Sequence, residues 1–192
     1  EKQAKVLNIL EECEKAGNPD MVYQFCSTSK VTFAGAGIAA LSSSPANIAD
    51  IKSKVQWSTI GPDKINQLRH VRFFGDADGL KEHMKKHAAI IRPKFEEVIE
   101  TLDKELSELE IAQWSHPTGG YFVSFDAMEG CAKKIVAKCK EAGLVLTGAG
   151  AAFPYGKDPK DSNIRIAPTM PTMDELKEAM QLFITCVKLV SV

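Results

Sequence analysis

Three small hydroxyl residues stand directly before one lysine, and glycines follow it closely. Ser27–Ser29 precede Lys30, and Gly35 and Gly37 come after it. An unprotonated amine attacks a carbonyl carbon, and burial beside cationic groups favours that form. Hydroxyl groups donate hydrogen bonds to an anion, and glycines let backbone N–H groups approach one. The segment therefore predicts a site for a ligand with a carbonyl and a phosphate; the alternative is a solvated lysine at a strand edge.

The elements around Lys30 follow from hydrophobic periodicity. The letters KVTF, beginning at Lys30, have strand character, which places the lysine at or near a strand or turn. A helix is predicted from Pro45 through PANIADIKSKVQW, with the preceding serines as caps. A second short helix is predicted after Asp63, through NQLRHVRFF.

A long amphipathic helix is predicted next. It begins near Asp76 or Asp78, and its apolar residues recur every three or four positions as far as Leu109. Pro93 falls inside this pattern, and an interior proline costs about 3 kcal/mol because it removes a hydrogen bond. We therefore expect a kink or a break near Ile91 and Arg92.

Beyond the long helix, strand and helix patterns alternate, which predicts a compact α/β layer. The predicted elements are a strand over Gly119–Phe125, a helix over Glu129–Ala142 ended by Gly143, strands at LVLT and NIRIA, and a final helix from about Thr172.

Composition excludes several classes of function. The net charge is −1, from 24 basic and 25 acidic residues, so no overall field favours nucleic acid or an acidic membrane. The five cysteines form no zinc-like spacing and are odd in number, which favours a reducing cytoplasm and no metal site. No run approaches the roughly 18 apolar residues of a membrane span. The chain lacks an initiator Met and opens in a helical pattern, so it reads as part of a longer protein.

The lysine segment resembles that of fold-type I pyridoxal-phosphate aminotransferases. In that family a serine three positions before the lysine holds the cofactor phosphate, and Ser27 occupies that position. The segments TIGPDKINQLRHVRFF, HPTGGYFVSF and NIRIAPTMP follow in the family's order. Together they are similar to the aspartate aminotransferase subgroup related to MocR-type proteins. An arginine in the family's N-x-R-[IL] segment grips the substrate carboxylate, and Arg165 matches it.

The resemblance implies a fold and a domain division. The fold class is α/β, with the C-terminal part of the large PLP-dependent transferase-like domain followed by the small α/β C-terminal domain. Residues 1–75 would be the remnant of the large domain, and residues 76–192 the small domain with its long leading helix.

The resemblance also implies chemistry. Lys30 would bind pyridoxal 5'-phosphate as an imine with Ser27 and Ser29 beside it, and would then move the substrate's α-proton. Arg165 would bind the α-carboxylate through two parallel hydrogen bonds. The substrates would be an aspartate-like amino acid and a 2-oxo acid, and the protein a cytoplasmic homodimer, with no membrane or nucleic-acid partner in this part.

Two departures from the family pattern leave alternatives open. Many relatives place a phosphate-binding arginine where this chain has Gly37 and Ile38, so either the glycine-rich backbone or another segment takes that role. The family's ring-stacking aromatic and pyridine-binding aspartate precede the lysine in sequence that this chain lacks. A MocR-like transcription regulator with the same lysine, or another reaction on the same cofactor, are the rival functions.

For several other residues, the sequence gives weaker evidence of a functional role. His83 and His87 stand four apart on the long helix, as a metal pair would, but no third ligand is apparent. Arg69 and His70 are expected in the core or at an interface, with Arg69 reaching a neighbouring subunit's site as the sharper alternative. Phe122, beside Tyr121, lines either the substrate pocket or the strand core.

We predict that the isolated 192-residue chain is inactive, because the family's remaining cofactor residues lie outside it. Titration with pyridoxal phosphate, followed by absorbance and a transamination assay, checks this. A full-strength imine band together with turnover from this chain alone would contradict it.

Overall fold

The structure, a computed structural model, describes residues 5–191. It divides into two compact units, the N-terminal unit, Lys5–Ala88, and the C-terminal unit, from Ala89 onward. The helices and strands are α1 Ile9–Lys15, β1 Gln24–Ser27, β2 Ala39–Ser42, α2 Pro45–Val55, α3 Lys64–Phe74, α4 Ala77–Leu106, β3 Ala112–Trp114, β4 Val123–Ala127, α5 Ala132–Glu141, β5 Asn163–Ile166 and α6 Met173–Val190.

The N-terminal unit contains a two-stranded antiparallel sheet. Strands β1 and β2 pair from Gln24 with Ser42 to Ser27 with Ala39. The connection between them, residues 28–38, is named the lysine loop here, because it carries Lys30. The sheet therefore fixes both ends of the segment in which the chemistry is predicted.

Both predicted short helices of this unit are confirmed. Helix α2 begins after Ser44, whose side chain accepts a hydrogen bond from the Asn47 N–H. Helix α3 begins after Asp63, which caps the N–H of Asn66 in the same way. Such caps satisfy N–H groups that lack a partner inside the helix.

Lys30 lies in a turn close behind β1, as predicted, but the segment KVTF does not form the strand that its composition favours. The backbone N–H groups of Val31 and Thr32 both donate to the Thr28 carbonyl, at 2.8 and 2.9 Å, which bends the chain back on itself. The Thr32 hydroxyl also lies 3.2 Å from that carbonyl. Local hydrogen bonds of this kind outweigh the strand preference of β-branched residues.

The long predicted helix is confirmed as α4, and it continues through Pro93 without the expected break. The half of α4 that follows Pro93 buries Val98, Leu102 and Leu106 completely. Burial of each such side chain contributes about 1.5–3 kcal/mol. The sum exceeds the roughly 3 kcal/mol that an interior proline costs.

The C-terminal unit contains an antiparallel sheet of order β3-β4-β5. Alternate residues of β4 (Val123, Phe125 and Ala127) are buried, and the residues between them are exposed. The ring of Phe125 meets that of Phe183 from α6 edge-on, with centroids 5.0 Å apart. One face of the sheet thus forms a core with the helices, and the other face is available for polar side chains.

Two of the strands predicted for the C-terminal unit differ from the structure. The strand predicted from Gly119 begins only at Val123, because Gly120 has a φ of 93°, outside the strand region. The segment LVLT joins neither sheet. Its half-buried Leu144 and Leu146 pack against the core, so their alternation reflects burial and not strand pairing.

The helix ends of this unit follow their predictions. Helix α5 stops before Gly143, which has a φ of 95°. Helix α6 begins with a capping box, in which Thr172 and Glu175 each bind the other's backbone N–H. Within the described residues, every helix is too short or too polar to cross a membrane.

Candidate functional site

Lys30 lies in the tight turn that opens the lysine loop. The turn is closed by the two hydrogen bonds to the Thr28 carbonyl, donated by the N–H groups of Val31 and Thr32. Thr28 also donates its own N–H to the Ile38 carbonyl at 2.8 Å, at the far end of the loop. Lys30 itself is exposed. Its backbone is therefore fixed while its side chain extends to the surface of this unit.

Two hydroxyl groups flank this turn. Ser27 Oγ donates to Ser29 Oγ at 3.0 Å and accepts the Ser29 N–H at 3.2 Å. Both serines are exposed. Because hydroxyl hydrogens rotate, this pair can donate to an oxygen-rich anion placed beside it. Ser27, Ser29 and Lys30 are thus brought together on one short stretch.

The folded loop gives a steric reason for the glycine at position 37, and the sequence alone did not reveal it. A Cβ atom at this position would lie 2.7 Å from both the N and the Cα of Ser29. Only a glycine allows the two ends of the lysine loop to approach this closely. Gly35 has a φ of 73°, a conformation that glycine adopts readily. The glycines that predicted an anion cradle therefore shape the loop itself.

Ile38 follows Gly37 at the position where many relatives place an arginine. Its N–H donates to Thr28 Oγ1 at 2.9 Å. This donor is consequently engaged inside the loop.

His70 lies in the core of the N-terminal unit, as one of the two alternatives predicted. Its Nε2 is 2.8 Å from Thr32 Oγ1, and its Nδ1 is 2.8 Å from the Asn66 carbonyl oxygen. Asn66 Nδ2 donates to the Ala36 carbonyl at 2.8 Å. Helix α3 thus holds the lysine loop at two points. The sequence analysis did not predict that α3 contacts the lysine loop. The available signal was the spacing of Asn66 and His70, which are four residues apart and therefore share one face of α3.

Arg165 lies in the C-terminal unit, in the middle of β5. It pairs with Ser124 on the face of the sheet opposite the core. Its guanidinium carbon lies 4.4 Å from the centre of the Phe122 ring, a cation–π contact. Among the described residues, the buried Arg165 Nε has no hydrogen-bond partner. The stacked ring therefore orients a guanidinium that retains an unused donor.

A polar network supports the strand that carries Arg165. Asn163 donates to Ser124 Oγ at 2.9 Å and to Asp126 Oδ1 at 2.8 Å. Asp158 stabilises the loop before β5. Its Oδ2 accepts hydrogen bonds from the N–H groups of Ser162 and Asn163, each at 2.8 Å. These hydrogen bonds, led by the one from Asn163, hold the pKa of Asp158 below its ordinary value.

The His83–His87 pair belongs to an aromatic cluster. The two imidazole rings have centroids 4.4 Å apart, and Phe74 meets His83 edge-on at 5.1 Å. Burial, followed by the nearby charges of His87 and Lys86, lowers the pKa of His83. Within residues 5–191, no three His, Cys, Asp or Glu side chains are grouped so as to hold a metal ion.

Comparison with known proteins decides the family. The model of the family described as aspartate amino-transferase matches residues 1–192. The chain belongs to the aspartate aminotransferase family. It is 51% identical over 180 residues to a candidate aminotransferase of Mycolicibacterium smegmatis, and 45% identical over 185 residues to an aspartate aminotransferase of Corynebacterium glutamicum. These matches cover 94% and 96% of this chain, but the chain spans only 42% and 43% of those relatives' length.

Solved structures agree with this family in fold. The crystal structure of an aspartate transaminase from Corynebacterium glutamicum matches 99% of this chain, and 45% of its own, with a TM-score of 0.93 and 44% identity. LysN, an α-aminoadipate aminotransferase from Thermus thermophilus, matches 98% of this chain and 47% of its own at a TM-score of 0.79 and 19% identity. The predicted fold class, an α/β arrangement of the PLP-dependent transferase type, is therefore confirmed.

We predict that Gly37→Ala destabilises this family member by about 1–3 kcal/mol, because a side chain is forced into a packed contact. The new Cβ meets the Ser29 backbone, which cannot rotate away as a side-chain end would. Thermal unfolding of the intact protein measures the effect. Gly61→Ala is the matched control, because a Cβ there has nothing within 4 Å. Equal unfolding temperatures for the two variants would contradict the assigned contact.

We predict that Asp158→Asn lowers stability at neutral pH and that the difference shrinks in acid. A carboxyl group whose pKa is lowered by folding stabilises the protein above its unfolded-state pKa of about 3.9, and this contribution is lost as the pH falls through the folded value. Urea unfolding of both proteins between pH 7 and pH 3 measures the gap. A gap that stays constant or widens in acid would rule out this role for the Asp158 charge.

Proposed function

We propose that this chain is the C-terminal part of a pyridoxal-phosphate-dependent aminotransferase, in the aspartate aminotransferase subgroup related to MocR-type proteins. It would move an amino group between an aspartate-like amino acid and a 2-oxo acid. The observation that carries the proposal is the turn in which Lys30, an exposed residue, directly follows Ser27 and Ser29, whose hydroxyls are hydrogen-bonded to each other. The named aspartate aminotransferase among the relatives supports the choice of substrate.

The proposal includes a domain assignment. Residues 1–75 are the C-terminal remnant of the large cofactor-binding domain, and residues 76–192 form the small domain. Large apolar side chains in the N-terminal unit support its place in a larger domain, since Phe25 is 75% exposed, Trp57 86% and Ile60 107%. A cytoplasmic homodimer, with no nucleic-acid or membrane partner in this part, completes the proposal.

The residues at Lys30 fit pyridoxal phosphate by their chemistry. The Lys30 amine would bond to its aldehyde, and the hydroxyls of Ser27 and Ser29 would donate hydrogen bonds to its phosphate. When bound, this cofactor supplies a ring that accepts an electron pair.

Lys30 would act as the base that removes the proton from the α-carbon of the amino acid. A positioned base of this kind typically contributes 10²–10⁴-fold to the rate. The hydrogen bonds that close the turn around Thr28 hold the Lys30 backbone, so that the amine moves only through side-chain rotation. That restriction favours a reproducible proton-transfer geometry.

Arg165 would bind the substrate's α-carboxylate. Its planar guanidinium can present two parallel N–H donors to a carboxylate. The Phe122 ring, 4.4 Å from the guanidinium carbon, keeps the plane of these donors fixed. A lysine cannot provide the same fork.

Substitutions in the intact protein test the two roles separately. Lys30→Arg is expected to reduce kcat by at least 10²-fold, because arginine does not release a proton at neutral pH. Arg165→Lys is expected to lower kcat/KM for aspartate by roughly 10- to 100-fold, mainly through KM. Lys52→Arg, an exposed lysine of α2, is the matched control. Retained activity in Lys30→Arg would contradict the proposal.

The alternative function, a MocR-like transcription regulator, has no supporting observation in the described residues.

A further inference from the structure

The N-terminal unit has an unusual interior. Among residues 5–88, only Thr32 and His70 are buried, with 9% and 6% of their surface exposed. All buried hydrophobic side chains of the described chain lie in the C-terminal unit. The best-protected contact of the N-terminal unit is therefore a hydrogen bond between two polar side chains, 2.8 Å long.

This hydrogen bond belongs to a chain that ends at the turn of Lys30. The Asn66 carbonyl oxygen can only accept, so the Nδ1 that lies 2.8 Å away must carry a hydrogen. In the neutral ring, Nε2 then accepts, and the Thr32 hydroxyl donates to it. Thr32 Oγ1 in turn lies 3.0 Å from Thr28 Oγ1, which accepts the Ile38 N–H. When Thr28 Oγ1 donates its hydrogen to Thr32 Oγ1, every member of this chain is satisfied, and the Thr28 carbonyl still accepts the N–H groups of Val31 and Thr32.

The ring of His70 is held from several sides. Phe33 meets it edge-on with centroids 5.1 Å apart, and Phe74 lies at 5.9 Å. The hydrogen bond at Nδ1 fixes its remaining rotation. His70 is thus a rigid point on α3 from which the Thr32 side chain is oriented.

Thr28 and Thr32 are placed two residues before and two residues after Lys30. A buried hydrogen bond adds little net stability compared with an apolar contact, but it specifies direction. Proton transfer by a lysine depends on direction, since small displacements of a catalytic group cost large factors in rate. The chain of hydrogen bonds therefore links a rigid helix to the part of the loop whose geometry matters most.

We propose that His70 is a positioning residue for Lys30, acting through Thr32 and Thr28. This inference rests on the proposed function, in which Lys30 is the proton-transferring base. It gives the buried polar pair a role in reaction geometry in addition to its role in packing.

The test compares variants of the intact protein loaded with pyridoxal phosphate. His70→Phe keeps a ring of similar shape without nitrogens, and Thr32→Val keeps the side-chain shape without the hydroxyl. Both are expected to lower kcat by roughly 5- to 100-fold with little change in KM, because each removes the hydrogen bond that connects α3 to the turn of Lys30. His70→Gln, whose amide can still reach Thr32, is expected to recover part of kcat. Phe73→Leu, which alters the same ring cluster at a 62% exposed residue, is the packing control.

A second measurement uses the cofactor-free protein. Hydrogen exchange of the Val31 and Thr32 amides is expected to be roughly 5- to 100-fold faster in His70→Phe and Thr32→Val than in wild type and Phe73→Leu. Unchanged exchange, or faster exchange with unchanged kcat, overturns the positioning role. A wild-type protein without transaminase activity overturns the proposed function and this inference with it, so the two failures are distinguishable.

Discussion

The lysine loop depends on Thr28. Its N–H donates to the Ile38 carbonyl, its carbonyl accepts the N–H groups of Val31 and Thr32, and its hydroxyl accepts the Ile38 N–H. A single residue thus joins the two ends of the loop and closes the turn that presents Lys30. The close contact between Gly37 and the Ser29 backbone follows from this closure. Without it, the backbone that carries Lys30 and the flanking serines would lose its defined conformation.

The two units are stabilised in different ways. The C-terminal unit has a conventional hydrophobic core, in which Phe125 and Phe183 are almost fully buried. This core includes the buried face of the sheet, and Arg165 lies on the opposite face. The N-terminal unit instead buries Thr32 and His70, and exposes large apolar residues such as Trp57. Packing defines the strand that carries the arginine, whereas hydrogen bonds define the turn that carries the lysine.

Much of this arrangement could be predicted from the sequence. Helices α2, α3, α4 and α6 have strong periodicity and clear caps, and such local signals suffice to place them. The strand character of KVTF is not realised, because the Thr28 carbonyl, and not the β-branched residues, determines the backbone there. The short strands β2 and β3 exist only through pairing with distant partners, which local pattern does not reveal.

The candidate site was predictable to a different extent. Residue type and spacing were enough to select Lys30 with Ser27 and Ser29 as candidates, whereas Arg165 was selected through the resemblance to the aminotransferase family. The stacking of Phe122 on Arg165, and the contact of His70 with Thr32, join residues distant in the chain. Gly37 shows the limit most clearly, since its identity follows from an approach to Ser29 that only the folded loop creates.

We propose that Lys30 is the amine that bonds to pyridoxal phosphate. Borohydride reduction of the intact, cofactor-loaded protein fixes that bond irreversibly, and mass spectrometry of its peptides locates the modified residue. We expect the phosphopyridoxyl group on Lys30. Modification of a different lysine, with Lys30 unmodified, would contradict it.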